Sequence, residues 1–230
     1  MTDSDFLTTT RTFYDAIAED YATLFQDELA NRPLERALLN VFAELVKGNG
    51  VDGGGAGGNG VGGNGLVADL GCGPGRTTGR LAALGLNVFG LDLSESMLAI
   101  ARRENPEIRF EQGSMLELDL PDGTLAGALS FYSSIHTPVE RLPALFAEFH
   151  RVLAPGAPLL VAFQAGDEHR HHDRPWGHPV SLTFQRRRPE DIADLLTAAG
   201  FALVSRTVRE PDPALDETSP QAFLITRKPA

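Results

Sequence analysis

Apolar residues occur with two different spacings along the chain. From residue 66 onward, short apolar runs alternate with stretches in which apolar residues recur every three or four positions. Short runs bounded by turn residues are typical of buried strands, and the wider spacing is typical of helices that bury one face. Strands are predicted at residues 66–70, 87–91, 108–111, 126–131, 158–163, 201–208 and 221–227. Helices are predicted at residues 77–84, 94–103, 139–153 and 189–199.

This order of elements predicts the fold class. Strands that alternate with helices through short connections form a parallel sheet with helices on both faces. The last two predicted strands are joined through Pro211, Asp212 and Pro213, which indicates an antiparallel hairpin at one edge. The expected fold is therefore α/β, with a doubly wound, seven-stranded, mostly parallel sheet.

Two further helices are predicted before the first strand. In residues 8–25, four apolar residues lie on one helical face. They are Phe13, Ile17, Tyr21 and Leu24. The second helix follows Pro33, a residue favoured in the first helical turn, and ends at Gly48.

A glycine-rich segment separates these helices from the first strand. Residues 53–65 are mostly glycine, and such a segment buries too little apolar area to offset its backbone entropy. We therefore expect an N-terminal helical cap at residues 1–47, a flexible linker at 48–65 and an α/β core at 66–230.

The composition is that of an ordinary globular protein. With 230 residues and 42% hydrophobic residues, the chain can build the full core of one domain. No apolar run approaches the roughly 20 residues that span a bilayer, and residues 1–5 lack the features of a secretory signal. Cys72 is the single cysteine, so no internal disulfide can form. We expect a cytoplasmic protein without membrane contact.

The net charge of −11 argues against a nucleic acid partner, because nucleic acid affinity depends largely on neutralising phosphates with Lys and Arg. The one obvious basic patch is Arg186, Arg187 and Arg188, directly before a predicted helix. We interpret this patch as a solvated face.

The turn after the first predicted strand holds the most informative motif. Asp69 is followed by Gly71, Gly73 and Gly75, and a helical pattern begins after the last of them. A dinucleotide-binding turn has the spacing G-x-G-x-x-G, whereas position 76 here is Arg76. An acid two residues before the first glycine suits a cationic group better than a pyrophosphate. A tight structural turn without a ligand is the alternative.

A second acid ends the second predicted strand. Asp92 lies about twenty residues beyond the glycines, where this architecture places a carboxylate on ribose hydroxyls. The alternative is that Asp92 caps the helix that begins near Ser94.

The glycine turn with Asp69, together with Asp92, makes the chain resemble class I S-adenosylmethionine-dependent methyltransferases of the small-molecule type. The family motif Asp-Leu-Gly-Cys-Gly-x-Gly is matched by residues 69–75, and the acid after the second strand by Asp92. A later family pattern is matched by residues 151–159, with Ala157 where glycine is usual. The resemblance implies a Rossmann-like methyltransferase fold and S-adenosylmethionine as cofactor, with S-adenosylhomocysteine as product.

The resemblance also implies the cofactor-binding residues. Asp69 and Gly71 would face the methionine end, Asp92 the ribose, and Leu93 and Met97 the adenine. Relatives often have Gly-Asp-Ala after the third strand, whereas this chain has Gly113, Ser114 and Met115, so Ser114 would accept a weaker bond. The remaining predicted cofactor residues are Tyr14, Tyr21, Cys72, Gly73, Gly75, Met115 and Phe131. Packing in the core explains the two tyrosines equally well, and the alternative for Cys72 is that it fills space in the turn.

The loop after the fourth predicted strand would flank the methyl group. His136 is the candidate general base, because the unperturbed pKa of histidine is about 6.5. The alternative is that His136 orients the loop or contacts the substrate without taking a proton. Tyr132 and Trp176 are predicted to join it in binding the acceptor.

Residues 164–188 are interpreted as a substrate flap, with an exposed loop as the alternative. This segment holds four of the six histidines, but adjacent histidines rarely all reach one ion, so we expect no metal. The predicted function is methyl transfer to a small organic acceptor at O, N or C. A regulatory module that binds S-adenosylmethionine is the alternative, and a nicotinamide-dependent oxidoreductase is disfavoured by the glycine spacing. Oligomeric state is left open.

Overall fold

A seven-stranded sheet forms the centre of the protein in the computed structural model, which describes residues 3–49, 65–215 and 217–230. The strands are β1 (Leu66–Leu70), β2 (Asn87–Asp92), β3 (Arg109–Gln112), β4 (Gly127–Phe131), β5 (Pro158–Gln164), β6 (Arg170–Asp173), β7 (Ser181–Phe184), β8 (Ala202–Arg209) and β9 (Gln221–Arg227). The helices are α1 (Asp3–Leu24), α2 (Pro33–Gly48), α3 (Arg76–Ala83), α4 (Glu95–Glu104), α5 (Leu142–Val152) and α6 (Pro189–Ala198). Most of the predicted linker lies outside the described residues.

The strand order of the main sheet is β3-β2-β1-β4-β5-β9-β8. The first five strands run parallel, whereas β9 runs antiparallel to both β5 and β8. The predicted α/β class and the antiparallel edge hairpin are therefore confirmed. The chain reverses its direction of travel across the sheet between β1 and β4, and ligands of open α/β sheets bind at such a reversal.

Helices cover both faces of the sheet. On one face, α5 places Phe146 and Phe149 against Phe163 of β5, and all three side chains are at most 1% exposed. On the other face, α2 places Leu39 and Phe42 in a second buried cluster with strands β1, β4, β5 and β9. Thus α2 belongs to the packing of the sheet, although the sequence groups it with the predicted cap.

The helix α1 lies elsewhere, over the carboxyl ends of the strands. Its Ala18 packs with Met97 and Ile100 of α4, and its Phe13 and Ile17 pack with Leu182 of β7. Of the two N-terminal helices, α1 is therefore the one that covers the sheet edge where a ligand would enter. The division into cap, linker and core stays a prediction.

The hairpin of β6 and β7 was missed by the sequence interpretation. The two strands pair antiparallel over four residues each, from Arg170 with Phe184 to Asp173 with Ser181. Leu182 is the one buried residue in either strand, so the alternating apolar pattern of a half-buried strand is absent. The predicted helix at 139–153 also starts late, at Leu142, because residues 139–141 form a 3₁₀ turn after Pro138.

Candidate active site

A cavity of about 880 Å³ opens at the carboxyl ends of β1, β2 and β4. Its walls come from α1 and the segment between α1 and α2, from the turns after these three strands, and from the hairpin of β6 and β7. Residues between β8 and β9 complete them. Binding sites for small organic ligands fall in the range of about 300–1,000 Å³, so this volume suits a large ligand or two smaller ones.

The glycine turn after β1 forms one wall of the cavity. Gly71 has a φ of +76°, and a Cβ at this position would lie 2.3 Å from the Ser133 Cβ. Gly73 has a φ of +53°, and nothing lies within 4 Å of an added Cβ, so its bare backbone borders open space. The amides of Gly71 and Cys72 both donate to the Leu91 carbonyl, at 2.7 and 3.0 Å. The turn is therefore held against β2 while its backbone stays accessible.

Asp69 and Asp92 stand at the ends of the two neighbouring strands β1 and β2. The Thr78 hydroxyl donates to Asp69 Oδ2 at 2.7 Å, and burial of Asp69 raises its pKa to about 7. The backbone amides of Gly73 and Ser94 donate to the two carboxylate oxygens of Asp92, at 2.8 and 2.9 Å. Burial also raises the pKa of Asp92, although these amide bonds oppose the shift. Both carboxyl groups are fixed in position at the cavity wall.

Ser94 is the N-cap residue of α4, and Asp92 accepts from its amide. The Ser94 hydroxyl accepts from the Met97 amide at 3.1 Å and donates to Asp15 of α1 at 2.6 Å. Asp15 also accepts from the Ser96 amide at 3.2 Å. The sequence interpretation did not include Asp15, which ties α1 to the start of α4.

A tyrosine and a histidine meet on the opposite wall. Tyr14 Oη lies 2.8 Å from His136 Nε2, and the ring of Tyr14 packs edge-on against both His136 and Tyr21. Burial lowers the pKa of His136 to about 3, and Arg187 and His172 act in the same direction. Burial raises the pKa of Tyr14 well above its ordinary value. At neutral pH the pair is therefore an uncharged phenol bonded to an uncharged imidazole.

Two residues predicted to contact the acceptor adopt an unusual backbone conformation. Tyr132, directly after β4, has a φ of +58°, and Trp176, in the turn between β6 and β7, has a φ of +49°. Both border the cavity. Non-glycine residues with such angles are held by their surroundings at a cost of about 1–3 kcal/mol, and they cluster at functional sites.

The arginine patch at residues 186–188 is not a solvated face, so that interpretation was wrong. Arg187 is buried, and its guanidinium donates to the Thr137 carbonyl. Arg186 borders the cavity and donates to the Thr218 hydroxyl at 2.7 Å. Only Arg188 is exposed, where it pairs with Asp167. The chain leaves β7 along the sheet edge, which turns two of the three side chains inward.

Comparison with known proteins identifies the family. Residues 67–156 match the family described as a methyltransferase domain. The chain is 31% identical over 155 residues to the uncharacterized methyltransferase sll0829 of Synechocystis, and this match covers 61% of the chain and 68% of that protein. The chain belongs to the class I S-adenosylmethionine-dependent methyltransferases.

Other proteins similar to this methyltransferase are longer or share mainly its fold. It is 34% identical over 128 residues to a trans-aconitate 2-methyltransferase of Variovorax paradoxus, over 50% of this chain and 47% of that protein. The chain spans about half the length of the first curated relatives that it matches, between 41% and 55%. Its fold resembles the Burkholderia thailandensis 1,6-didemethyltoxoflavin-N1-methyltransferase with bound S-adenosylhomocysteine, with a TM-score of 0.73, 21% identity and coverage of 100% and 92%.

The methyltransferase cavity fits the cofactor of its family. A buried carboxyl with a pKa near 7, such as Asp69, is poised to pair with a cationic group. Each oxygen of Asp92 receives one amide bond and keeps capacity for another donor, such as a ribose hydroxyl. Met97 lies buried at the same wall beside Leu93, where an apolar ring could pack.

Most predicted site residues of the methyltransferase come together at this cavity. Those that border it are Tyr14, Tyr21, Asp69, Gly71, Cys72, Gly73, Asp92, Leu93, Met97, Met115, Phe131, Tyr132, His136 and Trp176. Gly75 does not border it, but caps α3 and packs near Ala101 and Phe110. Ser114 lines a small neighbouring cavity instead. The roles of all these residues stay predictions.

The histidines of the predicted flap point to different partners. His171 contacts the Thr183 hydroxyl, His178 contacts Asp20 of α1, and His172 packs on Phe184. In the described ranges, no group of three His, Cys, Asp or Glu residues is placed to share a metal ion. Likewise, no described helix has both the length and the apolar character to cross a membrane.

Proposed function

We propose that the protein transfers a methyl group from S-adenosylmethionine to a small organic acceptor. The observation that carries this proposal is the continuity of one cavity. It runs from the glycine turn and the carboxyls of Asp69 and Asp92 to the Tyr14–His136 pair and the β6–β7 hairpin. The cofactor supplies an electrophilic methyl group, and the protein contributes mainly by holding an acceptor atom in line with it.

One wall of the cavity would bind the cofactor, and the other would bind the acceptor. Asp69 and the Gly71 turn would bind the methionine end, and Asp92 would bind the ribose. Tyr14, Tyr132 and Trp176 would surround the acceptor, with α1 and the hairpin excluding water. The names of the Variovorax relative and of the Burkholderia structure specify the small molecules trans-aconitate and 1,6-didemethyltoxoflavin, which supports an acceptor of that size. We further infer a cytoplasmic location from the single cysteine.

His136 is more consistent with positioning than with proton transfer. A histidine with a pKa of about 3 takes up a proton poorly at neutral pH. Its Nε2 is also engaged by the Tyr14 hydroxyl at 2.8 Å. Of the two roles predicted for His136, orientation of its surroundings is therefore the one that we propose.

The test is a titration followed by a transfer assay. We expect S-adenosylhomocysteine to bind in calorimetry and NAD not to bind, and we expect label from methyl-labelled S-adenosylmethionine to reach an acceptor in a panel of small molecules. Tight binding of S-adenosylhomocysteine without transfer to any acceptor would favour the regulatory module. Binding of NAD alone would remove the proposal altogether.

A further inference from the structure

We call the side of the cavity where the acceptor would bind the acceptor wall. It carries arginines that no described carboxylate neutralises. Arg11 comes from α1, Arg170 begins β6, and Arg186 follows β7, yet all three border the same cavity. None of them lies within ion-pair distance of an acidic side chain among the described residues. Arg186 donates instead to the Thr218 hydroxyl. In a chain with 31 acidic and 20 basic residues, this local excess of positive charge stands out.

The acidic side chains on the same wall are already paired. Glu28 meets Arg32 at 3.3 Å and Arg76 at 3.0 Å. Glu217 meets Arg32 at 2.5 Å and Arg209 at 2.6 Å. The remaining carboxylate on this wall, Asp27, is exposed at the rim. Arg11 and Arg170 are exposed as well, so three unpaired arginines on the described part of this wall stand against one unpaired carboxylate. The net uncompensated charge of the wall is therefore positive, and it favours an anion.

The described part of this wall offers few groups that could remove a proton. The imidazole of His136 is uncharged, weakly basic and bonded to Tyr14. Asp69 is titratable near neutrality, but it lies beyond the glycine turn and accepts from Thr78. His172 also borders the cavity, and burial lowers the pKa of its imidazole. Among the described residues it is the one histidine of this wall left to accept a proton from an amine, phenol or alcohol, whereas a carboxylate acceptor needs no base.

From these observations we propose that the acceptor is a small carboxylate-bearing molecule, held by Arg11, Arg170 and Arg186 and converted to its methyl ester. The inference rests on the proposed methyl transfer and specifies its substrate class. One carboxylate oxygen forms a bond to the methyl carbon while the carbon–sulfur bond breaks, and the electron pair of that bond goes to sulfur. The sulfonium and carboxylate charges cancel, and no proton is taken up or released.

Binding provides a test that does not depend on turnover. The full chain, loaded with S-adenosylhomocysteine, is titrated by calorimetry with a panel of mono-, di- and tricarboxylic acids and with the matching primary amides. We expect at least one acid to bind, and its amide to bind at least about tenfold more weakly, because charge-assisted bonds to arginine are lost. The affinity for that acid should also fall as salt is raised.

Variants at two of the three arginines test where the acid binds. Arg186→Gln and Arg170→Gln should each lower the affinity for the acid about tenfold and leave the affinity for S-adenosylhomocysteine unchanged. Arg188→Gln is the matched control, because Arg188 follows directly in sequence but pairs with Asp167 outside the cavity. The inference is overturned if no acid binds, if amides bind as well as acids, or if the control has the same effect.

A transfer assay then separates this inference from the proposed function. Methyl esters release methanol in alkali, whereas N-methyl, C-methyl and ether products do not. The expected result is label that becomes volatile after alkali. At saturating S-adenosylmethionine, this label should form at a rate that is flat between about pH 6 and pH 8. Alkali-stable label on an uncharged acceptor would overturn the inference of a carboxylate acceptor but would still support the proposed methyl transfer. Failure to bind S-adenosylhomocysteine would defeat methyl transfer itself.

Discussion

The two walls of the cavity differ in how the chain builds them. The wall of Asp69, Gly71, Gly73 and Asp92 comes from two adjacent strands. Backbone amides fix the glycine turn and Asp92, and the hydroxyl of Thr78, nine positions away, fixes Asp69. The opposite wall joins side chains that are far apart in sequence, such as Tyr14 and His136, which are 122 positions apart. A wall built from local backbone can be recognised from a short motif. A wall built from distant side chains depends on how α1 and the hairpin pack, so that packing can vary the acceptor while the first wall stays constant.

The largest effect on the first wall is expected when a side chain is added at Gly71. Gly71→Ala combines a positive φ with a Cβ placed 2.3 Å from Ser133. We expect the free energy of unfolding to fall by about 3 kcal/mol or more, and the affinity for S-adenosylhomocysteine to fall at least about 100-fold. Denaturant unfolding and calorimetry measure the two effects.

Gly85→Ala is the matched control for that variant. Gly85 has a φ of +82°, but nothing lies within 4 Å of an added Cβ. It should lose only about 1 kcal/mol of stability and keep its ligand affinity. Equal losses of affinity in the two variants would show that the contact of Gly71 with Ser133 does not matter for binding.

Removing the carboxyl of Asp92 tests the second group of this wall. Asp92→Ala should weaken S-adenosylhomocysteine binding roughly 10- to 1,000-fold, because each lost charge-assisted bond is worth about 1.5–3 kcal/mol. Calorimetry gives the affinity, and Asp119→Asn, an exposed position, serves as control. An unchanged affinity would exclude Asp92 from the ribose site and leave it as a structural acceptor for the Gly73 and Ser94 amides.

The titration of Asp69 distinguishes the two walls, because it predicts that ligand binding to the wall with Asp69 depends on pH. Its raised pKa of about 7 means that the folded protein keeps a proton that the unfolded chain releases near pH 4. Without ligand, this carboxyl therefore lowers stability as pH rises from about 4 to 7. A cationic ligand favours the ionised form, so the affinity for S-adenosylhomocysteine should rise about tenfold from pH 5 to pH 6 and level off above pH 7.

Proton release gives the direct measurement of this linkage. Calorimetry at pH 6 in buffers of different ionisation enthalpy should detect the release of nearly one proton on binding. Asp69→Asn should abolish both the release and the pH dependence. If the wild-type affinity is flat across this range, Asp69 does not face the cationic end of the ligand.

The second wall is tested through its tyrosine and histidine. Tyr14→Phe and His136→Asn should each lower turnover about tenfold with little change in cofactor affinity, since each removes the same 2.8 Å hydrogen bond. The double variant should be no slower than either single variant, because residues that act through one bond are not additive. A turnover profile with a pKa near 6.5 that disappears in His136→Asn would instead identify His136 as a base.

The smallest effect is expected where the two parts of the second wall meet. His178 of the hairpin segment lies 2.8 Å from Asp20 of α1, and both side chains are at least one-third exposed. Asp20→Asn should change the free energy of unfolding by no more than about 0.5 kcal/mol, because exposed pairs are screened by water. Thermal unfolding measures it, and a loss several times larger would show that this contact holds the cavity closed.

The same contrast explains which features the sequence could predict. The strand positions, the antiparallel edge and the glycine turn follow from local patterns, and the structure confirms them. The inward direction of Arg186 and Arg187 depends on the path of the chain after β7, and no local pattern carries that information. The pairing of β6 with β7 leaves one buried side chain, Leu182, so it produces no apolar alternation. The pKa of His136 depends on burial by α1 and the hairpin, which composition does not reveal.

A crystal structure of the full chain with S-adenosylhomocysteine tests the central claim most directly. We predict the ribose hydroxyls within hydrogen-bond distance of Asp92, the amino group at Asp69 and Gly71, and the sulfur directed toward the space bounded by Tyr14 and Arg186. A structure in which the ligand binds outside this cavity, or in which its sulfur is directed away from Tyr14 and Arg186, would contradict the account.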